Sequence, residues 1–185
     1  MAITLKYWPG RGLMEVPRFC LAINGKFNGE GYTDGRFSEA PAPLAANLGR
    51  MPICQAGDEF VGQSAAINFF IAAENGLMGT SNLEAAQIIA VCEHIKEMRN
   101  EWGKVVPYGA EPTAELLEKW FDTGAEDVSG TAERGNSRYM KWWSGRIEAA
   151  LHNNGFAVGN KLSLADVVIY NTYVVCLMLG CCLFV

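Results

Sequence analysis

The chain has 185 residues, of which 50% are apolar and 19% are charged. This composition is typical of a globular protein with a substantial core and excludes a disordered chain. The formal net charge of -5 argues against a nucleic-acid partner, because phosphate binding requires clustered Lys and Arg.

The cysteines and histidines bear on redox state and metal binding. None of the six cysteines belongs to a C-x-x-C pair or a Cys/His ligand set, and His94 and His152 are isolated. This pattern predicts reduced, buried thiols, with neither disulfides nor a metal site. The N-terminus has no basic-then-apolar leader, so the predicted location is the cytoplasm.

The first residues predict a strand followed by a helix. Ile3–Trp8 alternates apolar and polar residues, Pro9–Gly12 breaks the pattern, and Asn24–Gly25 ends the helical face that follows. Tyr7 is therefore expected at the C-terminal end of a strand, toward the crevice where α/β folds bind ligands. A second interpretation is that Tyr7 only packs at the strand end.

The segment from Phe27 to Leu48 has weak periodicity because it is rich in Gly, Pro and Ala. It predicts a second strand near Gly31–Tyr32 and a poorly defined helical stretch before Gly49.

The stretch Arg50–Ser64 predicts two short strands and an abrupt helix start. Met51–Cys54 and Glu59–Val61 flank a turn, and Ser64 is the expected N-cap of a helix that ends near Asn75–Gly76. X-Pro bonds adopt the cis form at low cost. A cis Pro52 would leave the Met51 backbone free to pair with an extended ligand, and the helix N-terminus would attract a carboxylate. The alternative is an ordinary edge strand that begins at proline.

The second half of the chain predicts helices alone, after a linker at Leu77–Thr80. Ser81 and Glu84 form a capping box before a long amphipathic helix, and further helices are expected around Leu116–Phe121 and Met140–Leu151. The glycine-containing stretch Asp122–Asn136 is expected to be broken.

A second cap precedes the last segment of the chain. Ser163 and Asp166 form a Ser-x-x-Asp variant of the capping box, with Leu162 able to pack on Val167. No charged residue follows Asp166, so this segment is either a core helix or a short membrane anchor. We expect the core helix, with a truncated or aberrant C-terminus from Cys176 onward.

Three motifs together resemble the glutathione S-transferase family. They are the opening Tyr7–Glu15, with its Tyr-Trp-x-x-Arg-Gly-x-x-Glu pattern; Met51-Pro52-Ile53 followed by Gln63-Ser64-Ala65-Ala66-Ile67; and the cap at Ser163–Asp166. The resemblance extends to about Val175 and is to the tyrosine-type, sigma-like members. It implies a thioredoxin-like α/β domain of order βαβαββα over residues 1–77 and an all-α domain, incomplete, over residues 81–185.

The resemblance also implies an activity, which is conjugation of glutathione to small electrophiles by a cytosolic homodimer without a metal. Tyr7 would be catalytic, its hydroxyl donating a hydrogen bond to the glutathione thiolate. Met51, which precedes Pro52, would pair with the cysteinyl backbone, and Gln63 and Ser64 would hold the γ-glutamyl carboxylate. The resemblance also implies that Trp8 lines this site.

Some contacts usual in the family are absent from this sequence. Leu13 stands where a second arginine is usual, no Trp or Lys occurs between Phe37 and Leu48, and Arg50 replaces a glutamine. Arg50 is a candidate replacement for the lost cation at the glycyl carboxylate. These departures keep a second hypothesis open, a non-catalytic structural or scaffolding protein with the transferase fold.

Overall fold

The computed structural model describes residues 1–39, 44–106, 111–122, 140–151 and 154–173. Its strands are β1 (Ile3–Tyr7), β2 (Phe27–Asn28), β3 (Gly31–Arg36), β4 (Ile53–Ala56) and β5 (Glu59–Gly62). Its helices are α1 (Glu15–Ile23), α2 (Ser64–Glu74), α3 (Asn82–Val105), α4 (Ala114–Asp122), α5 (Met140–Ala150) and α6 (Leu164–Tyr170).

The strands form one mixed sheet in the order β2-β3-β1-β4-β5. The central strand β1 runs parallel to β3 and antiparallel to β4, and its register pairs Leu5 with Cys54 and Lys6 with Ile53. Continuing this register by one residue brings Tyr7 opposite Pro52. The C-terminal end of β1 therefore meets the beginning of β4, which positions the two predicted halves of the site side by side.

Helices α1 and α2 pack against each other, and α2 also contacts β4 and β5. In the helical half, α3 contacts α4, α5 and α6. Helix α6 also touches α1 and α2, so it links the two halves. Its residues Leu164, Ala165 and Val167 are buried, as expected for a helix at the centre of a core.

The poorly defined helical stretch predicted before Gly49 is found only in part. In the described residues 44–49 it contains only a 3₁₀ turn, Ala45–Asn47. The turn ends because Leu48 and Gly49 adopt left-handed backbone angles, with φ of 52° and 80°, which a helix cannot continue. The short strand β2 was also not predicted.

The predicted N-cap at Ser64 is wrong by one residue. Helix α2 begins at Ser64, and Gln63 is its N-cap, with φ of 66° and ψ of 121°. The carbonyl of Gln63 accepts the first helical hydrogen bond, from the Ile67 N–H at 3.0 Å. The helix starts this abruptly because the backbone of Gln63 lies far from helical angles.

The N-cap of α3 at Ser81 and the capping box of α6 are confirmed. The hydroxyl of Ser81 accepts a hydrogen bond from the Glu84 N–H at 3.1 Å. The Glu84 carboxylate accepts from the backbone and the hydroxyl of Thr80, at 2.5 and 2.6 Å, one residue before the cap. At α6, Ser163 and Asp166 form the capping box.

Several predictions fall on residues outside the described set: most of the broken stretch Asp122–Asn136, the segment from Cys176 onward, and His152. Among the helices that the structure does describe, none combines the length and the apolar character needed to cross a membrane.

Candidate active site at the end of the central strand

Tyr7 is the last residue of β1, and its side chain is only 2% exposed. The ring packs directly on the backbone of Gly12, whose φ is +42°. A Cβ at Gly12 would lie 2.7 Å from both Cε1 and the hydroxyl oxygen of Tyr7. The glycine therefore leaves the space that the phenol occupies, a role that the Arg-Gly motif alone did not reveal.

The turn after Tyr7 is held by a buried arginine. Arg18 of α1 is 8% exposed and donates through Nη1 to the carbonyls of Gly10 and Arg11, each at 3.1 Å. Its Nε and Nη2 donate to Oδ1 of Asp34 at 3.1 and 3.0 Å, and Glu15 also accepts from Nη1 at 3.2 Å. The guanidinium thus connects α1, β3 and the turn that packs on Tyr7. A charged residue on an otherwise apolar helix face was the available sequence signal.

The Met51–Pro52 peptide bond is cis, the first of the two alternatives that the sequence left open. Pro52 is buried and Met51 half-buried at the entry to β4. The register of β1 with β4 therefore brings the cis peptide beside the end of the strand that carries Tyr7.

Asn47, which sequence reasoning missed, joins the Pro52 segment to the start of α2. The side chain is 4% exposed. Its Nδ2 donates to the Pro52 carbonyl at 3.0 Å, and its Oδ1 accepts from the Gln63 N–H at 3.2 Å. Gly62 makes this contact possible, because a Cβ there would overlap the Ala46 carbonyl oxygen and lie 2.6 Å from Cβ of Asn47. The only sequence signal was one amide in an alanine-rich stretch.

The first turn of α2 lies where the sequence predicts a binding site for a carboxylate. The first N–H groups of a helix have no acceptor within the helix, and the helix dipole is positive at that end. Gln63 contributes no side-chain cap to these groups; its side chain is exposed, and Ser64 is half-buried. The arrangement suits a ligand carboxylate.

A cavity of 260 Å³ opens beside Ser64, between α2, α3 and α6. Leu13 and Arg99 contribute to its lining. The side-chain oxygen of Asn68, which also lines it, is buried and has no hydrogen-bond partner among the described residues. Leu13, which stands where a second arginine is usual in the family, thus lies at this cavity.

The two remaining predicted residues lie at the surface. Trp8 is 38% exposed immediately after β1. Arg50 is exposed, and its Nε donates weakly to the Asn47 carbonyl at 3.5 Å. The guanidinium is thus placed over the same turn that Asn47 anchors.

Cysteine chemistry is suppressed in the described residues. Burial raises the pKa of Cys20 and Cys92 to about 12 and that of Cys54 to about 11. These thiols are therefore protonated and poorly nucleophilic at neutral pH. The described residues also contain no group of three or more His, Cys, Asp or Glu side chains arranged to hold a metal ion.

Comparison with known proteins identifies relatives that align with most of this chain. No protein-family model matches the chain. A Caenorhabditis elegans protein named "Probable glutathione S-transferase 6" is 30% identical over 173 residues, which are 89% of this chain and 75% of the relative. "Glutathione S-transferase 3" of the same organism is 29% identical over 167 residues, again 89% of this chain and 75% of the relative.

Solved structures agree. A major nematode-specific GST of C. elegans is 25% identical with a TM-score of 0.71, covering 97% of this chain and 83% of its own. Two further structures bear on the fold alone. A Nu-class GST from Haemonchus contortus has a TM-score of 0.68 at 24% identity, covering 92% of this chain and 79% of its own. A monomeric GST from Necator americanus has a TM-score of 0.67 at 22% identity, covering 92% of this chain and 78% of its own. These likenesses confirm the predicted fold class, a thioredoxin-like α/β half followed by a helical half.

Proposed function

The chain belongs to the glutathione S-transferase family, and we propose that it conjugates glutathione to small electrophiles with Tyr7 stabilising the thiolate. The observation that carries this proposal is the placement of Tyr7 at the end of β1, where continuing the β1–β4 register by one residue brings it opposite Pro52. Asn47 ties Pro52 in turn to the start of α2. The proposed hydrogen-bond donor to the sulfur, the segment proposed to pair with the peptide backbone and the proposed carboxylate site therefore lie next to one another.

In the proposed complex, glutathione lies extended along this edge. The Met51 backbone pairs with the cysteinyl residue, and the first turn of α2, with Gln63 and Ser64, holds the γ-glutamyl carboxylate. Trp8 lines the site, and Arg50 lies toward the glycyl carboxylate. The bound tripeptide is a co-substrate, consumed in each turnover.

In the proposed reaction, the glutathione thiol loses its proton to solvent, and the thiolate sulfur attacks an electrophilic carbon. A carbon–sulfur bond forms, and a leaving group departs or an unsaturated acceptor takes up the electron pair. A tyrosine hydroxyl is a good donor and a poor base at neutral pH, so Tyr7 keeps its proton. Its hydrogen bond favours the charged sulfur and lowers the thiol pKa.

The domain assignment, the partners and the cellular location are part of the same proposal. We assign residues 1–77 to the glutathione-binding domain and residues 81–185 to a helical domain that contributes the electrophile pocket. The acidic net charge disfavours nucleic acid, and we propose a cytoplasmic homodimer.

The decisive variant is Tyr7→Phe, which keeps the buried ring and deletes only the hydroxyl. Loss of a hydrogen bond to a charged group, worth about 1.5–3 kcal/mol, should lower kcat/KM about tenfold to a hundredfold. The pH–rate midpoint, which reports the bound thiol, should rise. The measurement is conjugation of glutathione to a chromogenic aryl halide across pH, with binding followed by calorimetry.

Two outcomes would overturn the proposal. A wild-type protein that binds glutathione without conjugating it would favour the non-catalytic alternative. An active Tyr7→Phe variant with an unchanged rate and pH profile would show that another group donates to the sulfur.

A further inference from the structure

We infer that Asn47 is a positioning residue that sets the affinity for glutathione by locking two binding segments together. The inference rests on the proposed function. It concerns a residue that touches neither the sulfur nor Tyr7 in the proposed complex, so its effect should be confined to binding.

The Asn47 amide makes two hydrogen bonds of opposite sense. Its nitrogen donates to the Pro52 carbonyl at 3.0 Å, and its oxygen accepts from the Gln63 N–H at 3.2 Å. An amide side chain supplies a donor and an acceptor on two neighbouring atoms of one planar group. At 4% exposure, water does not readily replace either bond, so both partners depend on this side chain.

The two partners adjoin the proposed binding groups. Pro52 follows Met51, whose backbone is proposed to pair with the peptide. Gln63 precedes Ser64 at the start of α2, where the γ-glutamyl carboxylate is proposed to bind. The β4–β5 ladder pairs Ile53 with Gly62 and so brings Pro52 and Gln63 close together. The Asn47 side chain adds a direct link between them, from a position 16 residues before Gln63 in the chain.

The backbone on both sides needs such an anchor. Gln63 has φ of 66°, a sparsely populated conformation for a residue other than glycine, and such conformations persist only where the surroundings hold them. After Asn47, Leu48 and Gly49 are also left-handed, and the Leu48 side chain is 83% exposed. Leu48 therefore contributes little packing to the turn, whereas the Asn47 amide bonds the turn to both Pro52 and Gln63.

The test compares Asn47→Leu, which keeps the branched shape of the side chain and loses both bonds, with Asn47→Asp, which keeps an acceptor for the Gln63 N–H. Asn75→Leu is the matched control. Asn75 also has two side-chain hydrogen bonds, donating to the Ile71 carbonyl at 2.6 Å and accepting from Lys26 at 2.8 Å, but at the far end of α2.

For Asn47→Leu we expect the glutathione Kd from calorimetry and the KM for glutathione to rise about tenfold or more, as for loss of two hydrogen bonds that orient a ligand. The kcat at saturating glutathione and the pH–rate midpoint should stay within about twofold of the wild type. Asn47→Asp should show a smaller rise in KM. Asn75→Leu should lower the urea midpoint and leave KM unchanged.

Folded Asn47→Leu protein with a wild-type Kd and KM would overturn the inference, as would a fall in kcat at constant KM. If neither Asn47 variant folds, amide exchange of the wild type decides. The Gln63 N–H should be protected in the absence of glutathione, and exchange at the rate of an unstructured amide would contradict the inference. Wild-type protein that fails to bind glutathione would instead refute the proposed function.

Discussion

Gly12 controls the room available to the proposed catalytic hydroxyl. Its φ of +42° disfavours any residue with a Cβ. Its α-carbon also faces the phenol so closely that a methyl group would lie 2.7 Å from the Tyr7 oxygen. Because Tyr7 is only 2% exposed, its ring has little freedom to move away from Gly12.

Gly12→Ala should therefore lower kcat/KM at least about tenfold and reduce the free energy of unfolding by about 1–3 kcal/mol, the usual cost of overpacking. Gly10→Ala is the control, since a Cβ at Gly10 meets no atom within 4 Å. Steady-state kinetics and urea unfolding measure both variants. Equal behaviour of the two alanines would mean that the Tyr7 ring is not confined by Gly12.

At the scale of single elements, the start of α6 depends on one carboxylate. Asp166 accepts from the Ser163 N–H at 2.8 Å and from the Ser163 hydroxyl at 2.7 Å. Its other oxygen accepts from the Ala157 N–H at 2.7 Å, which fastens the preceding loop. Ser163 is 1% exposed, so its donors have no alternative partner in solvent.

Asp166→Ala should lower the free energy of unfolding by about 2–4 kcal/mol, because three hydrogen bonds to a charged acceptor are lost at once. Asp58→Ala, at the exposed turn between β4 and β5, should change stability by less than about 0.5 kcal/mol. Urea denaturation followed by circular dichroism distinguishes them. A loss below about 1 kcal/mol for Asp166→Ala would contradict the cap as a stability determinant.

The elements predicted best from sequence are those specified by local chemistry. The caps at Ser81 and Ser163 bond within four residues, so the sequence spacing carries the information. The helical stretch expected before Gly49 is only a 3₁₀ turn in residues 44–49, because left-handed angles at Leu48 and Gly49 end it. Glycine at one of those positions was visible in the sequence, but leucine gave no such signal.

The candidate site was predictable only in part for the same reason. Tyr7, Pro52 and the start of α2 follow from motifs that the sequence displays directly. Asn47 and Arg18 act through partners 16 residues away, at Gln63 and Asp34. Those pairings exist only once the sheet has formed, so no periodicity or spacing rule could identify them.

At the scale of the whole molecule, α6 and the linker join the two halves. The Leu164 N–H donates to the Leu77 carbonyl at 2.9 Å, and the rings of Phe19 and Tyr170 meet edge to face with centroids 5.7 Å apart. The sheet, α1 and α6 thus share one continuous core. An exposed apolar surface remains on α2 and α3, where Phe69 and Ile89 are 45% and 41% exposed beside the cavity near Ser64.

This surface is where the proposed homodimer can be tested. A second copy covering Phe69 would bury the 45% of this residue that is exposed, worth about 1 kcal/mol. Sedimentation velocity over a concentration series should therefore show a monomer–dimer equilibrium, and Phe69→Glu should weaken it at least about tenfold. Phe27→Glu, on the edge strand β2 where the native ring is 55% exposed, should leave the equilibrium unchanged. A wild-type protein that sediments as a monomer at every concentration would refute the dimer, and equal effects of both variants would place the contact elsewhere.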